Sequence, residues 1–160
     1  MTRSASPAEV FRRLVTGVAQ GRWDELPDLY AETTHVEHPF DPLRAPALHT
    51  REDLRHHFAR VQRAWPPRRV EAADIVIHET SDPEVIVAEY TYRGTIVATG
   101  APIAVPSIFV LRVRDGRIVE SRDYIDHLAG ARSRGAFDDL VAAIKERDAA
   151  ADNASATSRS

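Results

Sequence analysis

From Arg68 to His127 the side chains keep a period of two, and this stretch restricts the fold more than any other. Alternation of that kind belongs to strands with one face turned to a core, not to helices. It predicts strands near 69–79, 84–94, 100–114 and 117–127. Ser81-Asp82-Pro83 supplies the first turn between them. Asp115-Gly116 supplies the last, because both central residues of a type I′ hairpin need positive φ and this dipeptide tolerates it.

The chain before Arg68 has a helical period. Ser6-Pro7-Ala8-Glu9 combines a capping hydroxyl, a proline suited to the first turn and a glutamate that can close a capping box. Val10, Phe11, Leu14, Val15 and Val18 then recur on one face until Gly21 ends the helix. A second short helix is expected over Trp23 to Tyr30 and a strand over His35 to Phe40. Thr50-Arg51-Glu52-Asp53 starts a third helix, which Trp65-Pro66-Pro67 stops. After the strands a helix over about 134–147 is expected, followed by a small-residue tail, 149–160, expected to be disordered. The order predicts one α+β domain over 1–148, with core 7–128. In it an antiparallel sheet carries three N-terminal helices over one face and is followed by a C-terminal helix; where such a sheet is strongly curved, helices across its concave side leave a pocket.

Charge excludes several classes of function. The formal net charge is −3 and the arginines are interspersed with acids, so no electrostatic footprint for nucleic acid is present. The absence of cysteine removes thiolate catalysis and cysteine-based zinc sites. No apolar run is long enough for a membrane helix and the first residues lack a signal-peptide core, so a cytoplasmic protein without membrane contact is expected. His35 and His38 diverge on a strand and His56 and His57 diverge on a helix, so no metal site is expected.

The hairpin at Asp115-Gly116 sets a phase for the strand after it. Ile118, Glu120, Arg122 and Tyr124 fall on one side, and Val119, Ser121, Asp123, Ile125 and His127 on the other. Asp123 thus lies among small and apolar neighbours, where an acid has either a structural partner or a chemical task. Val36 and His38 share a face, as do Tyr90 and Tyr92, and packing is the ordinary explanation for such paired tyrosines. A histidine before a proline at a strand end, as at His38, is commonly a hydrogen-bonded rim residue, and one at the end of a strand, as at His127, is commonly just solvated.

The order of elements resembles the cone-shaped nuclear transport factor 2-like fold, whose curved sheet encloses a pocket and whose members include ketosteroid isomerases, limonene epoxide hydrolases and SnoaL-like polyketide cyclases. The match spans Val10 to about Leu128 and aligns without a gap to the isomerases from Phe11 to Phe40, through Leu29-Tyr30-Ala31-Glu32 and Val36-Glu37-His38-Pro39. The isomerase catalytic tyrosine falls on Leu14, its base on His38 and its oxyanion-binding acid near Phe109; Leu14 and Phe109 cannot donate to an enolate. Arg122-Asp123-Tyr124-Ile125-Asp126 is similar to the Arg-Asp-Tyr-Phe-Asp motif of the epoxide hydrolases, whose first aspartate is catalytic. Two further charged positions of that family hold Tyr90 and Tyr92, and its water-positioning tyrosine and asparagine fall on Val36 and His38.

The resemblance therefore implies a pocket for a small apolar, oxygenated or polyketide-like molecule and a cofactor-independent acid/base enzyme. Asp123, His38 and Tyr92 would be the catalytic groups, and Tyr90, Val36, Leu14, Phe109, Ser121 and His127 would hold the ligand. The alternative is a non-catalytic ligand-binding or dimerisation module. A homodimer is expected, from the family and from Ile103, Val105, Phe109 and Leu111, whose apolar alternation would leave a two-sided apolar sheet needing cover.

Overall fold

The computed structural model describes residues 4–157. Helix α1 spans Pro7–Ala19 and opens with the expected capping box: Glu9 N–H donates to Ser6 Oγ at 3.3 Å and Ser6 N–H to Glu9 Oε2 at 2.7 Å. Gly21, at φ 69°, follows its C-terminus. The second helix of the sequence reading shrinks to a 3₁₀ turn, Leu26–Leu29, and Tyr30 already belongs to a strand. Strand β1 is Tyr30–Glu37, ending before His38 rather than at Phe40. A short β2, Leu48–Thr50, was not foreseen; it leads into α2, Arg51–Ala64, capped by Thr50 and Asp53.

Strands β3 (Arg68–Glu79), β4 (Val85–Ile96), β5 (Pro102–Arg114) and β6 (Arg117–Ile125) follow the predicted runs closely. Asp115 and Gly116 have φ 52° and 74°, as the hairpin requires. The six strands form one sheet in the order β2-β1-β6-β5-β4-β3. It is mixed rather than antiparallel, because β1 lies parallel to β6. A β-bulge in β3, where Asp74 takes φ 54° and is held by Arg93 at 2.6 Å, adds local bend and twist.

Helix α1 lies against the inner face of the sheet, with the Phe11 ring in edge contact with Tyr90 at 5.4 Å and Phe109 at 6.2 Å. Val10, Phe11 and Val15 are fully buried there, as are Ala88 and Leu111 on the sheet. Ile103, Val105, Phe109 and Leu111 all face this interior, so they do not make the sheet apolar on both sides and offer no surface for a partner to cover. The other parity of β5, with Pro102, Ala104, Pro106 and Ile108, faces out.

The C-terminal region also differs from the sequence reading. Helix α3, His127–Ser133, starts where β6 was expected to continue, capped by Asp126, which accepts from Ala129 N–H at 2.8 Å. After Gly135, α4 runs from Phe137 to Thr157. Residues 149–157, expected in a disordered tail, are therefore helical and exposed. Their alanines have the highest intrinsic helix propensity, which composition-based reasoning underweighted. Residues 158–160 of that expectation lie outside the described residues. Among the described residues no helix is long and apolar enough to cross a membrane.

Gly94 pairs with Val70 across β3 and β4, and a Cβ built on it would sit 1.9 Å from the Arg69 carbonyl oxygen. Backbone cannot swing aside as a side chain can. Gly94→Ala is therefore expected to cost about 1–3 kcal/mol, the range of overpacking, measured as a lowered urea midpoint with unchanged slope. Wild-type stability in that variant would show that the strand pair is wider than described.

Candidate functional site

The sheet's inner face, α1, α2 and the start of α3 enclose a cavity of about 320 Å³. Its wall is largely apolar, built from Leu14, Val36, Leu54, Phe58 and Phe109 among others, with a few polar groups turned inward.

Asp123 is the most buried of the acids and is 4% exposed. The register explains its place: Asp123 pairs with Phe109 on β5, which pairs with Ala88 on β4, so the three form one row across the concave face. On its other side β1 runs parallel, pairing Val36 with Ser121 and Glu37 with Arg122. Continuing that step brings His38 level with Asp123, and His38 Nε2 lies 3.7 Å from Asp123 Oδ2. This is contact without a formed hydrogen bond. The Ser121 hydroxyl donates to Asp123 Oδ1. Among the described residues no arginine pairs with Asp123.

Burial pushes the Asp123 carboxyl up to about 7, opposed only in part by the Ser121 hydrogen bond. Burial, then the neighbouring His127, pulls the His38 imidazole down to about 4, with Asp41 acting against them. Near neutral pH the pair is thus a neutral imidazole beside an acid that exchanges its proton readily. His38 stacks on His57, ring centroids 5.1 Å apart, and meets His127 edge-on at 6.4 Å. Burial, then His38, pulls His57 down to about 3. His127 Nε2 is buried without a hydrogen-bond partner and lines the cavity.

Tyr90 and Tyr92 line the same cavity with their rings in edge contact at 5.0 Å. Burial raises both phenols well above their ordinary range, so each remains a neutral donor. Tyr92 is close enough to Asp123 and Arg68 to feel both, the first raising and the second lowering its pKa.

Asp123, His38, Tyr92, Tyr90, Val36, Leu14, Phe109 and His127 therefore meet in one cavity. Ser121 does not line it and acts through its hydrogen bond to Asp123. Two of the reasons given for these positions were wrong. His127 arrives from α3 rather than from strand parity. Ile118, assigned to the side away from Asp123, is fully buried, because the β5–β6 register shifts between Arg112 and Val113 and breaks the alternation near Val119.

Sequence reasoning missed His57, Trp65, Arg68 and Arg134. Adjacent helical residues diverge, which holds for His56 and His57 and still leaves one of them, His57, turned inward. Its position three residues after the core residue Leu54 was the available signal. Among the described residues no group of three or more histidines and acids is arranged to hold a metal ion.

The profile of the SnoaL-like domain matches residues 11–121. An uncharacterised PhzA/B-like protein of Pseudomonas aeruginosa is 31% identical over 125 residues, covering 78% of this chain and 84% of the relative. A solved Bacillus subtilis structure provisionally named an isomerase superposes with TM-score 0.70 at 21% identity, covering 81% of this chain and 93% of that one. A phenazine biosynthesis-related protein of Pseudomonas aeruginosa gives TM-score 0.64 at 18% identity, covering 81% and 84%. At such identities the structural likeness establishes the fold alone.

The Asp123 shift has a consequence for stability. Its folded pKa of about 7 exceeds the ordinary 3.8, so between these values the folded chain keeps a proton that the unfolded chain releases. This contribution is full below 3.8 and is lost as pH rises towards about 7. His38 and His57 act oppositely: with pKa values lowered from 6.5 to about 4 and about 3, they favour the fold above 6.5 and withdraw that support as pH falls. Asp123→Asn is expected to remove the first slope alone, so the variant gains on wild type between pH 4 and 7, by a few kcal/mol at most, with a plateau above. Urea unfolding at a series of pH values measures it; a constant difference would mean that Asp123 is ionised throughout.

Proposed function

Because the chain belongs to the SnoaL-like domain family and carries that family's small-molecule pocket, we propose that it is a cofactor-independent acid/base enzyme. Its substrates are apolar, oxygenated molecules of aromatic or polyketide-like character. The observation that carries this reading is Asp123, a buried acid in the cavity wall with its pKa near 7, without an arginine partner and beside a neutral imidazole.

The chemistry follows from the groups. The ionised Asp123 carboxylate takes a proton from carbon next to a carbonyl, and the pair of electrons left behind moves onto the carbonyl oxygen. The Tyr92 phenol, a neutral donor, hydrogen-bonds that oxygen as charge develops. Asp123 then returns its proton to the product. Ser121 orients the carboxylate, and His38, held by stacking on His57, lines the path between them and the ligand. The apolar wall keeps water away and sustains the raised pKa.

A non-catalytic ligand carrier is the second reading, favoured by Leu14 and Phe109 at positions where the isomerases place donors. Epoxide hydrolysis is the nearest enzymatic variant, and a screen of racemic epoxides addresses it. We also propose a homodimer, supported by Val76 and Ile108, 49% and 41% exposed among the outer sheet residues. Light scattering on the eluting protein is expected to give twice the chain mass, and a monomer at micromolar concentration would end that proposal.

Proton abstraction can be tested before a natural substrate is identified. With 2-tetralone in D₂O, the protein is expected to accelerate exchange of the protons beside the carbonyl, followed by NMR, with rates rising through about pH 7 as Asp123 ionises. Asp123→Asn should lower this by about 10²–10⁴-fold while ligand affinity and fold survive. Exchange in the variant equal to wild type, or tight binding without acceleration, would favour the carrier.

A further inference from the structure

The wall of the cavity contains two arginines that the acid/base reading does not use. Arg68 begins β3 and Arg134 follows α3, and both are half-buried. The Arg68 guanidinium carbon lies 4.8 Å from the centroid of Trp65 and 5.6 Å from that of Trp23, and the Arg134 guanidinium lies 5.8 Å from Trp65. Trp65 thus carries both cations, and all four residues line the cavity. The other half-buried arginines among the described residues have acids: Arg51 has Glu32, Arg112 has Asp82 and Glu84, and Arg147 has Asp148. Arg68 and Arg134 have no carboxylate partner among the described residues; burial lowers the pKa of each, opposed at Arg68 only by the Tyr92 phenol.

Two partly desolvated positive charges without counterions are expensive, and the cost falls when an anion enters. A guanidinium resting over an aromatic ring keeps its in-plane N–H groups free to donate, which suits a carboxylate. Both arginines line the cavity that holds the acid/base groups. Burial lowers the His127 pKa first and Arg134 adds to it, while Asp41 and Asp126 act against them; Arg68 acts on Tyr92.

We propose that Arg68 and Arg134, carried on Trp65, form an anchor for a carboxylate on the ligand, so that the substrate is an apolar cyclic or aromatic acid whose reacting carbon is presented to Asp123. This rests on the cavity being the ligand site, as the reading above holds, and it narrows the substrate class. The carboxylate is held by the arginines; it is not the reacting group.

The test uses two inert probes of one shape, 2-naphthoate and its neutral amide 2-naphthamide, with affinities measured by calorimetry on the full chain at pH 8. Wild type is expected to prefer the carboxylate by about tenfold or more, the scale of a charge-assisted bidentate contact. Arg68→Met and Arg134→Met should each erase most of that preference while leaving 2-naphthamide affinity within about twofold, and Arg68→Lys should keep part of it. The ratio of the two affinities within one protein does not depend on how much of a variant is folded. Equal affinities in wild type, no naphthoate binding at millimolar concentration, or variants that keep the full preference would each overturn the proposal. Because neither probe reacts, the outcome is separate from the exchange assay. Asp123→Asn should retain the carboxylate preference, so acid/base chemistry can fail while the anchor stands, and the reverse.

Discussion

The site depends on the parallel pairing of β1 with β6. Val36 beside Ser121 and Glu37 beside Arg122 set a step that ends with His38 at the level of Asp123. Without that step Asp123 would keep its Ser121 hydroxyl and the apolar row of Phe109 and Ala88, but would lose the imidazole beside it. Thr34 reinforces the join from within the core, its hydroxyl donating to the Ile118 carbonyl at 3.1 Å. Strands so far apart in the chain pay a large closure entropy before their contacts form, and the reward is the burial of Tyr30, Val36 and Ile118 along the seam.

Burial of polar groups is what gives the cavity its chemistry. An exposed aspartate at pH 7 is an ionised, weak base; the same group at 4% exposure beside a serine hydroxyl holds its proton up to about 7. The same physics moves His38 and His57 in the opposite direction, to neutral imidazoles. The three histidines therefore act as polar aromatic surface at neutral pH and not as cations. The positive charge of the cavity comes from Arg68 and Arg134, spread over Trp65.

Much of this was legible because it is local. The capping boxes at Ser6 and Thr50, the Asp115-Gly116 turn and the four strand runs each depend on residues close in sequence. Eight of the nine anticipated site residues line the cavity, most of them through strand parity, which needs only one strand at a time; Leu14 comes from α1 and His127 from α3. The errors lie where distant segments meet. The bulge near Val119 turns Ile118 inward, and the inner parity of β5 took Ile103, Val105, Phe109 and Leu111 away from the outer face. A one-residue change of register inverts every side chain beyond it, and no local signal marks it.

Residue order is enough to give an α+β chain with a long meander, with Asp123 on its inner face and tyrosines and an imidazole within its reach. The meeting of His57 with His38, the delivery of His127 by α3, and the sharing of one tryptophan by Arg68 and Arg134, with no carboxylate partner among the described residues, come from the folded arrangement alone. The physical reason is that the period of a strand or helix sets which side a residue faces, whereas charge, desolvation and proton affinity depend on what distant elements bring to that side.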